Sequence, residues 1–152
     1  MNRRNPSASA SRQTGKTNRV CGVEIASAAA VLHSVALPRR MPENFGAREL
    51  RRVEEALSPC KIPFGDFTDF QQRVWKQLQK IPRGQVMSYA QIAALIGREG
   101  AARAVGSACA ANPFLIAVPC HRVVAKDGLG GYACGLAWKK KLLELEGALP
   151  TH

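Results

Sequence analysis

The 152-residue sequence lacks several features that mark large classes of proteins. It contains no uninterrupted apolar run near the roughly 20 residues that a membrane-spanning helix needs. Its five cysteines are an odd number and include no Cys-x-x-Cys pair. These absences argue against a membrane protein and a disulfide scaffold, and they favour a reducing compartment. A zinc site formed by Cys21, His33 and Cys60 is conceivable, but its spacing matches no standard zinc pattern.

Acidic side chains are also scarce. The chain has 22 Lys and Arg residues against 11 Asp and Glu, which gives a formal net charge of +11 and a pI of about 10.0. A basic excess of this size indicates a polyanionic partner, and nucleic acid is the first expectation. Together with the unpaired cysteines, it predicts a cytoplasmic protein that is associated with DNA.

The first 19 residues contain no acidic side chain and are rich in Ser, Asn and Arg. This composition predicts a basic, disordered tail over residues 1–19. It is also typical of an organelle transit peptide, so organelle targeting by residues 1–19 is the alternative. The apolar segment 20–37 adds a secretory signal as a further alternative, although Glu24 and His33 interrupt it.

A short N-terminal region follows over residues 20–66. It contains one predicted helix, residues 47–57, because Leu50, Val53 and Leu57 fall at helical spacing. No chemistry is assigned to this region, whose expected role is to cover one side of the part that follows.

The strongest chemical signal is the segment 119–123, Pro-Cys-His-Arg-Val, after the apolar, strand-like run 114–118. The thiolate is the reactive form of cysteine, and an adjacent base or cation raises the thiolate fraction. The neighbours Cys120 and His121 therefore predict a nucleophilic cysteine. The alternative is that Cys120 is a small buried apolar residue, which is the commoner role of a single cysteine.

Three helices are predicted before this segment. Capping boxes at Thr68 and Ser88 begin two of them, and Gly97 ends the second. A third helix runs over residues 101–111. Two short helices joined by a glycine-containing turn are typical of a helix-turn-helix. The second of these is rich in small residues, mainly Ala, which would let its backbone lie close to DNA.

After the cysteine, a flexible loop of small residues is predicted over 130–135 and a helix over 136–146. The run Lys139-Lys140-Lys141 on this helix predicts a solvated face. If DNA lies near, the same lysines would add phosphate contacts.

Residues 67–147 resemble the catalytic domain of the 6-O-alkylguanine-DNA alkyltransferases, the methylated-DNA–protein-cysteine methyltransferases. The matching pieces occur in the order and spacing of that family, and as an ordered set they are highly specific. They are Ser88-Tyr89, Ala102-Arg103-Ala104-Val105-Gly106, Asn112-Pro113, Pro119-Cys120-His121-Arg122-Val123, Gly130-Gly131-Tyr132 and Glu146-Gly147.

The resemblance implies a DNA repair protein that acts once, without a cofactor or a metal. The helix-turn-helix would enter the minor groove, and the damaged guanine would be flipped into a pocket. Cys120 would then take the methyl or alkyl group irreversibly. His121 and Glu146, through a bound water, would act as the base that forms the thiolate, and Tyr89 would protonate the departing guanine.

The resemblance also implies residues that bind the DNA or the flipped base. Arg103 would fill the gap left by the nucleotide, Asn112 would brace the turn that carries the site, and the backbone of Val123 and Ala133 would read the base edge. Further contacts with DNA or the base are assigned to Ser88, Ala102 and Arg122.

The expected fold is mostly α with a short strand pair. A winged-helix-like helix-turn-helix catalytic domain over residues 67–152 would follow a short α/β region, and the protein would be a monomer. The family normally carries a larger α/β domain at this place, so whether residues 1–66 form a complete sheet is left open. Cys134 lies in the predicted pocket loop, where a second thiol could change the tolerance for large alkyl groups.

Three other functions compete with this interpretation. A relative that binds the lesion without transfer has tryptophan at the cysteine position, and Cys120 argues against it. A thiol hydrolase would use Cys120, His121 and Glu146, but the sequence shows no oxyanion-hole loop and carries surplus positive charge. The last is a helix-turn-helix protein that binds DNA or a lesion without chemistry. A Cys120→Ser substitution would leave the function of such a protein intact.

Overall fold

The computed structural model describes residues 15–149. The chain divides into two compact units, the first formed by residues 15–66 with Pro113–Ala117 and the second by Phe67–Asn112 with residues 118–149. The first contains β1 (Lys16–Val20), β2 (Val23–Ala28), β3 (Val31–Ala36) and α1 (Ala47–Leu57). The second contains α2 (Asp69–Leu78), β4 (Met87–Ser88), α3 (Tyr89–Leu95), α4 (Ala102–Ala110), β5 (Val123–Val124) and α5 (Leu136–Leu145). The described residues thus contain five α-helices, a three-stranded sheet and a short strand pair, which agrees with the predicted helices, strand pair and N-terminal α/β region.

The first unit is built on an antiparallel sheet in the order β1-β2-β3. Two-residue turns at 21–22 and 29–30 join the strands, with φ between 50° and 87°, a geometry that suits the strand twist. Because β1 begins at Lys16 and pairs with β2, the predicted disorder is wrong at residues 16–19. Residues 1–14 of the predicted tail, including most of the proposed targeting segment, lie outside the described residues.

Helix α1 contributes the apolar face that the sequence predicts. Leu50, Val53 and Leu57 are all buried, and the helix has the predicted bounds. The carboxylate of Glu49 accepts a hydrogen bond from the backbone N–H of Gly46 at 3.0 Å, which satisfies one of the free donors at the helix start. A sheet and a helix therefore both form in the first unit.

The segment Pro113–Ala117 returns to the first unit and is not a strand. The N–H of Val35 donates to the first carbonyl of this segment at 2.8 Å, and Phe114 forms an isolated parallel bridge with Val35. Ile116 then adopts φ 71°, which interrupts the extended backbone. The predicted strand-like run is therefore wrong in its secondary structure, although most of its apolar side chains are buried.

In the second unit, the predicted capping boxes begin α2 and α3. The hydroxyl of Thr68 accepts from the N–H of Gln71 at 3.1 Å, and that of Ser88 accepts from the N–H of Gln91 at 3.0 Å. Gly97 follows α3 at φ 77° and its N–H donates to a carbonyl of the last turn, as the sequence predicts for a helix C-terminus.

Helices α3 and α4 form the predicted helix-turn-helix. Gly97 and Gly100 in the connection both have positive φ, which side chains other than glycine disfavour. The indole of Trp75 in α2 donates to the carbonyl of Ala108 at 3.0 Å and so ties α2 to the buried side of α4. Arg103 lies on the exposed side of α4.

A short parallel strand pair links the start of α3 to the predicted cysteine segment. Met87 pairs with Val123 and Ser88 with Val124. Directly before Val123, the residues Cys120–Arg122 form a 3₁₀ turn. The pairing therefore brings the N-terminus of α3 beside the turn that carries Cys120.

Two alternatives raised by the sequence find no support among the described residues. The segment 20–37 lies mainly in β2 and β3, and no helix between residues 15 and 149 is long and apolar enough to cross a membrane. Over the same range, Cys21, His33 and Cys60 do not come together as a metal-binding group.

Candidate functional site

Cys120 is held at the start of the 3₁₀ turn by its own backbone and by Asn112. Its N–H donates to the carbonyl of Val118 at 2.8 Å. The side-chain amide of Asn112 donates to the same carbonyl at 2.9 Å and to the Cys120 sulfur at 3.4 Å. Asn112, which is predicted to brace the turn, thus also contacts the thiol itself.

Cys120 is 3% exposed, yet it lines a cavity of about 420 Å³. That volume lies in the range of small-ligand pockets. Five of the predicted site residues line the same cavity, namely Tyr89, Ala102, Arg103, Cys120 and Ala133. Cys120 is therefore buried from bulk water but is open to a molecule that enters the cavity.

The thiol is protonated in this environment at neutral pH. Burial raises the pKa of Cys120 to about 11, although the hydrogen bond from Asn112 and the charge of Lys139 act in the opposite direction. A charge buried in a cavity of low dielectric is costly, and this explains why burial outweighs these interactions. Any use of Cys120 as a nucleophile therefore requires removal of its proton during the reaction.

Next to Cys120, the imidazole of His121 is oriented by a buried carboxylate. Its Nε2 lies 2.9 Å from Oε2 of Glu146, and both side chains are 1% exposed. The ring of Tyr132 packs edge-on to the imidazole at a centroid distance of 6.4 Å. The structure thus brings together the two residues predicted as a base, with Glu146 fixing the orientation of the ring.

Glu146 is in turn held by Arg122. The guanidinium donates from Nε and Nη2 to the two carboxylate oxygens at 2.9 and 2.8 Å, and from Nη1 to the carbonyl of Ile81 at 2.8 Å. Burial alone would raise the pKa of Glu146, but the hydrogen bonds and charges of His121 and Arg122 outweigh it and lower the pKa to about 2. Glu146 is therefore ionised at neutral pH.

This position of Arg122 argues against its predicted contact with DNA. Its guanidinium is 13% exposed, and its Nε, Nη1 and Nη2 atoms all donate hydrogen bonds inside the protein. A phosphate or base would have to displace a bidentate carboxylate, which is a strong interaction for arginine. Arg122 thus holds Glu146 in position, and its predicted contact with DNA stays a prediction that this geometry disfavours.

Tyr89, at the N-terminus of α3, lies under the glycine loop. A Cβ atom added to Gly130 would stand 2.7 Å from the Tyr89 hydroxyl oxygen, so only glycine fits there without a shift. Burial raises the pKa of Tyr89, the nearby thiols Cys109 and Cys120 raise it further, and a backbone hydrogen bond from Gly131 acts the other way. The phenol therefore keeps its proton at neutral pH and can act as an acid.

The remaining predicted residues lie around the cavity or behind it. Arg103 and Ala133 are exposed at the cavity, and Ala102 is half-buried beside Arg103. The side chain of Ser88 caps α3, and Val123 is fully buried in β5. Neither of these two lines the cavity.

Two residues at or near the cavity are not among the predicted site residues. Cys109 of α4 lines the cavity, and burial raises the pKa of its thiol to about 12. Lys139 of α5 is fully buried, which contradicts the predicted solvated face at this residue. Helical periodicity could have indicated this, since Trp138, Leu142 and Lys139 share one side of α5 and only Lys140 of the three lysines is exposed.

Comparison with known proteins matches the same part of the chain. The family model described as 6-O-methylguanine DNA methyltransferase, DNA binding domain, matches residues 69–148, just over half of the chain. A methylated-DNA–protein-cysteine methyltransferase of Salmonella typhimurium is 58% identical over 83 residues, which are 54% of this chain and 48% of that protein. The chain thus spans about half the length of the curated relatives that it matches.

Solved structures resemble a larger part of the chain. The crystal structure of Mycobacterium tuberculosis OGT in complex with DNA is 35% identical with a TM-score of 0.69, over 89% of this chain and 93% of that one. That of O6-methylguanine-DNA methyltransferase from Pyrococcus kodakaraensis is 27% identical with a TM-score of 0.63, over 88% and 98%. The similarity therefore extends beyond residues 69–148.

Proposed function

Because this chain belongs to the 6-O-methylguanine DNA methyltransferase family, we propose that it repairs alkylated guanine in duplex DNA by transferring the alkyl group to Cys120. One observation carries the proposal. Cys120 lines a cavity together with the protonated phenol of Tyr89, and the carboxylate-oriented imidazole is its neighbour in the chain. The proposed nucleophile and acid thus line one space of the size of a small ligand, and the proposed base follows the nucleophile in the chain.

The reaction is a displacement at carbon. The Cys120 sulfur forms a bond to the alkyl carbon while the bond from that carbon to O6 of guanine breaks, and the electron pair of the broken bond stays with guanine. The product is a thioether on the protein, which water does not hydrolyse. The protein is therefore consumed after one transfer, and no cofactor is needed.

Proton transfer completes the balance. The thiol proton passes to His121, through a water molecule, while Glu146 stabilises the imidazolium that forms. Guanine gains one proton as it leaves, and Tyr89 donates it. The phenol then takes a proton back from solvent, and His121 releases the thiol proton to solvent. The raised pKa of Tyr89 supports this role, because the phenol remains protonated until the anion develops on the base.

The helix-turn-helix of α3 and α4 is proposed to bind the duplex in a winged-helix-like arrangement. The exposed face of α4 consists mainly of small residues, so its backbone can approach the minor groove closely. Arg103, exposed at the cavity, would occupy the gap that the flipped nucleotide leaves. Ser88, Ala102 and the backbone of Val123 and Ala133 are proposed to contact the DNA or the base.

A mass measurement on the intact protein tests this function. After incubation with duplex DNA that contains O6-methylguanine, the wild-type protein should gain one methyl group per molecule, located on Cys120 by peptide mapping. A Cys120→Ser variant should gain none, because its hydroxyl is a far weaker nucleophile, while it still binds the DNA. The matched control is Cys60→Ser, a half-buried thiol of the first unit, which should react like the wild type.

Two outcomes would contradict the proposal. Transfer of more than one equivalent would mean turnover and hence hydrolase-like chemistry. Binding of the duplex without any gain in mass would leave a DNA-binding protein without transfer. The protein is further proposed to act as a monomer, which sedimentation of the DNA complex tests.

A further inference from the structure

A tight turn at residues 82–85 lies directly against the residue that orients the proposed base. The N–H of Gln85 donates to the carbonyl of Pro82 at 3.1 Å, which closes a turn of four residues. Gly84 is the third residue of this turn and has φ 89°, the geometry of a type II turn. Glycine adopts this left-handed conformation without steric cost. The backbone of the turn by itself therefore favours glycine at position 84.

Gly84 also packs against the backbone of Glu146. A Cβ atom added to Gly84 would lie 3.2 Å from the carbonyl oxygen of Glu146, so one of the two would have to shift. The end of α5 that carries this oxygen is held by backbone hydrogen bonds from the N–H groups of Gly147 and Ala148, at 3.0 and 2.9 Å. Such a pair of bonds is typical of a helix that ends at a glycine. The oxygen therefore has little freedom to move away from a side chain at position 84.

The residues on either side of the turn contact the same network. The carbonyl of Ile81 accepts a hydrogen bond from Nη1 of Arg122 at 2.8 Å, while Nε and Nη2 of this guanidinium hold the carboxylate of Glu146. Two residues after the turn, Met87 pairs with Val123, which follows Arg122 in the chain. This segment thus contacts the backbone of Glu146 directly and its carboxylate through Arg122.

We propose that Gly84 is a positioning residue for alkyl transfer, because its lack of a side chain lets the turn 82–85 pack against Glu146 and so places the carboxylate that orients His121. This inference rests on the proposed transfer to Cys120, in which His121 receives the thiol proton. Nε2 of His121 lies 2.9 Å from the carboxylate, so a shift of Glu146 by a few tenths of an ångström would change this hydrogen bond. Gly84 does not line the cavity and acts through Glu146.

The test compares Gly84→Ala with a matched substitution in the first unit. Gly22→Ala is the control, because Gly22 has φ 87° and an added Cβ there would lie 3.3 Å from the side chain of Pro42. The two substitutions thus introduce a similar backbone strain and a similar close contact, but only the first reaches Glu146. A second variant, Gly84→Asn, adds the same Cβ with less strain, since asparagine tolerates positive φ better than alanine.

Single-turnover methyl transfer from duplex DNA that contains O6-methylguanine is measured over a range of DNA concentrations. For both variants of Gly84 we expect the rate at saturating DNA to fall about tenfold, because catalytic groups must be held precisely. The DNA concentration that gives half of this rate should stay that of the wild type, and Gly22→Ala should match the wild type in both quantities. In a Glu146→Gln background, Gly84→Ala should slow transfer by less than about twofold, because the carboxylate that it displaces is already absent.

Urea titrations between pH 7 and pH 2 detect the same displacement without DNA. Burial alone would raise the pKa of Glu146, but the hydrogen bonds and charges of His121 and Arg122 lower it to about 2. If Gly84→Ala weakens these contacts so that this pKa rises by about one unit, the folding equilibrium constant falls about tenfold at pH 7 beyond the effect of strain. This extra loss should shrink as the pH falls towards 2, whereas the loss in Gly22→Ala should stay constant, because its Cβ would meet only proline side chains.

Two results would overturn the inference. One is an equal loss of transfer in Gly84→Ala and Gly22→Ala, and the other is an undiminished effect of Gly84→Ala in the Glu146→Gln background. If the wild type transfers no methyl group, the proposed function fails. The urea titrations still decide whether Gly84 places Glu146, since a loss in Gly84→Ala that does not depend on pH would show that it does not.

Discussion

At the scale of single residues, Glu146 is a carboxylate at a locally unfavourable position that its neighbours compensate. It caps the C-terminus of α5, where the helix dipole disfavours a negative charge. The guanidinium of Arg122 and the imidazole of His121, both bonded to its carboxylate, reverse that balance. The carboxylate is thereby kept ionised and fixed, and it fixes the imidazole beside Cys120.

This arrangement predicts a specific loss of stability in acid. The pKa of Glu146 is lowered from 4.5 to about 2 in the folded protein, so its contribution is complete above pH 4.5 and is lost as the pH falls towards 2. A Glu146→Gln variant should have a free energy of unfolding about 3 kcal/mol lower than the wild type at pH 7. Urea titrations at several pH values should show the difference shrinking between pH 4.5 and pH 2.

Glu144→Gln is the matched control, because it removes a carboxylate from the same helix without touching His121 or Arg122. If the two variants lose stability equally and with the same pH dependence, the bonds of Glu146 to His121 and Arg122 do not stabilise the folded protein. Transfer by Glu146→Gln should also be slowed, since the imidazole loses the anion that stabilises its protonated form.

At the scale of secondary-structure elements, the start of α3 is decisive for the site. Tyr89 is the first residue of this helix, and Ser88 both caps the helix and pairs with β5. The cap therefore fixes the position of the Tyr89 phenol relative to Cys120. A helix of seven residues has little intrinsic stability, so its position depends on the cap and on packing.

We predict that Ser88→Ala lowers the free energy of unfolding by about 1 kcal/mol, because the N–H of Gln91 loses its acceptor. Thermal or denaturant unfolding measures the effect. Ser107→Ala, at an exposed position inside α4, is the control and should change stability by less than about 0.5 kcal/mol. Equal effects of the two substitutions would mean that the capping hydrogen bond does not stabilise α3.

At the scale of the whole molecule, the net charge of +11 bears on the proposed DNA partner. Positive side chains that neutralise phosphates release counterions, so the affinity falls as salt rises. If about three phosphates are neutralised, a fourfold increase in salt should weaken duplex binding about 40-fold. Fluorescence anisotropy with a labelled duplex measures this dependence.

An unmodified duplex is the control and should show the same slope, because phosphate contacts do not depend on the lesion. Binding that does not change with salt would contradict a role of the basic surface in holding DNA. The rate of Cys120 alkylation by iodoacetamide, which involves no phosphate contact, provides a second control on the same salt series.

Most of the local structure could be predicted from the residue pattern alone. The bounds of α1, the two capping boxes, the glycine after α3 and the helix-turn-helix follow from short-range patterns, because caps and periodicity act within a few residues. The pair Cys120 and His121 predicts a nucleophile in the same way, and that role stays a prediction. The ordered motifs over residues 67–147 then predicted the family.

Which side chains are charged or buried depends instead on contacts between residues that are distant in the chain. The sequence does not indicate that Arg122 bonds to Glu146 and Ile81, which lie 24 and 41 residues away. The sequence predicts that Lys139 is solvated, yet its side chain is buried and bonds to the carbonyl of Gly131. Residues 16–19 became a strand and 114–118 did not, because pairing and packing partners lie far along the chain, and local propensity does not encode them.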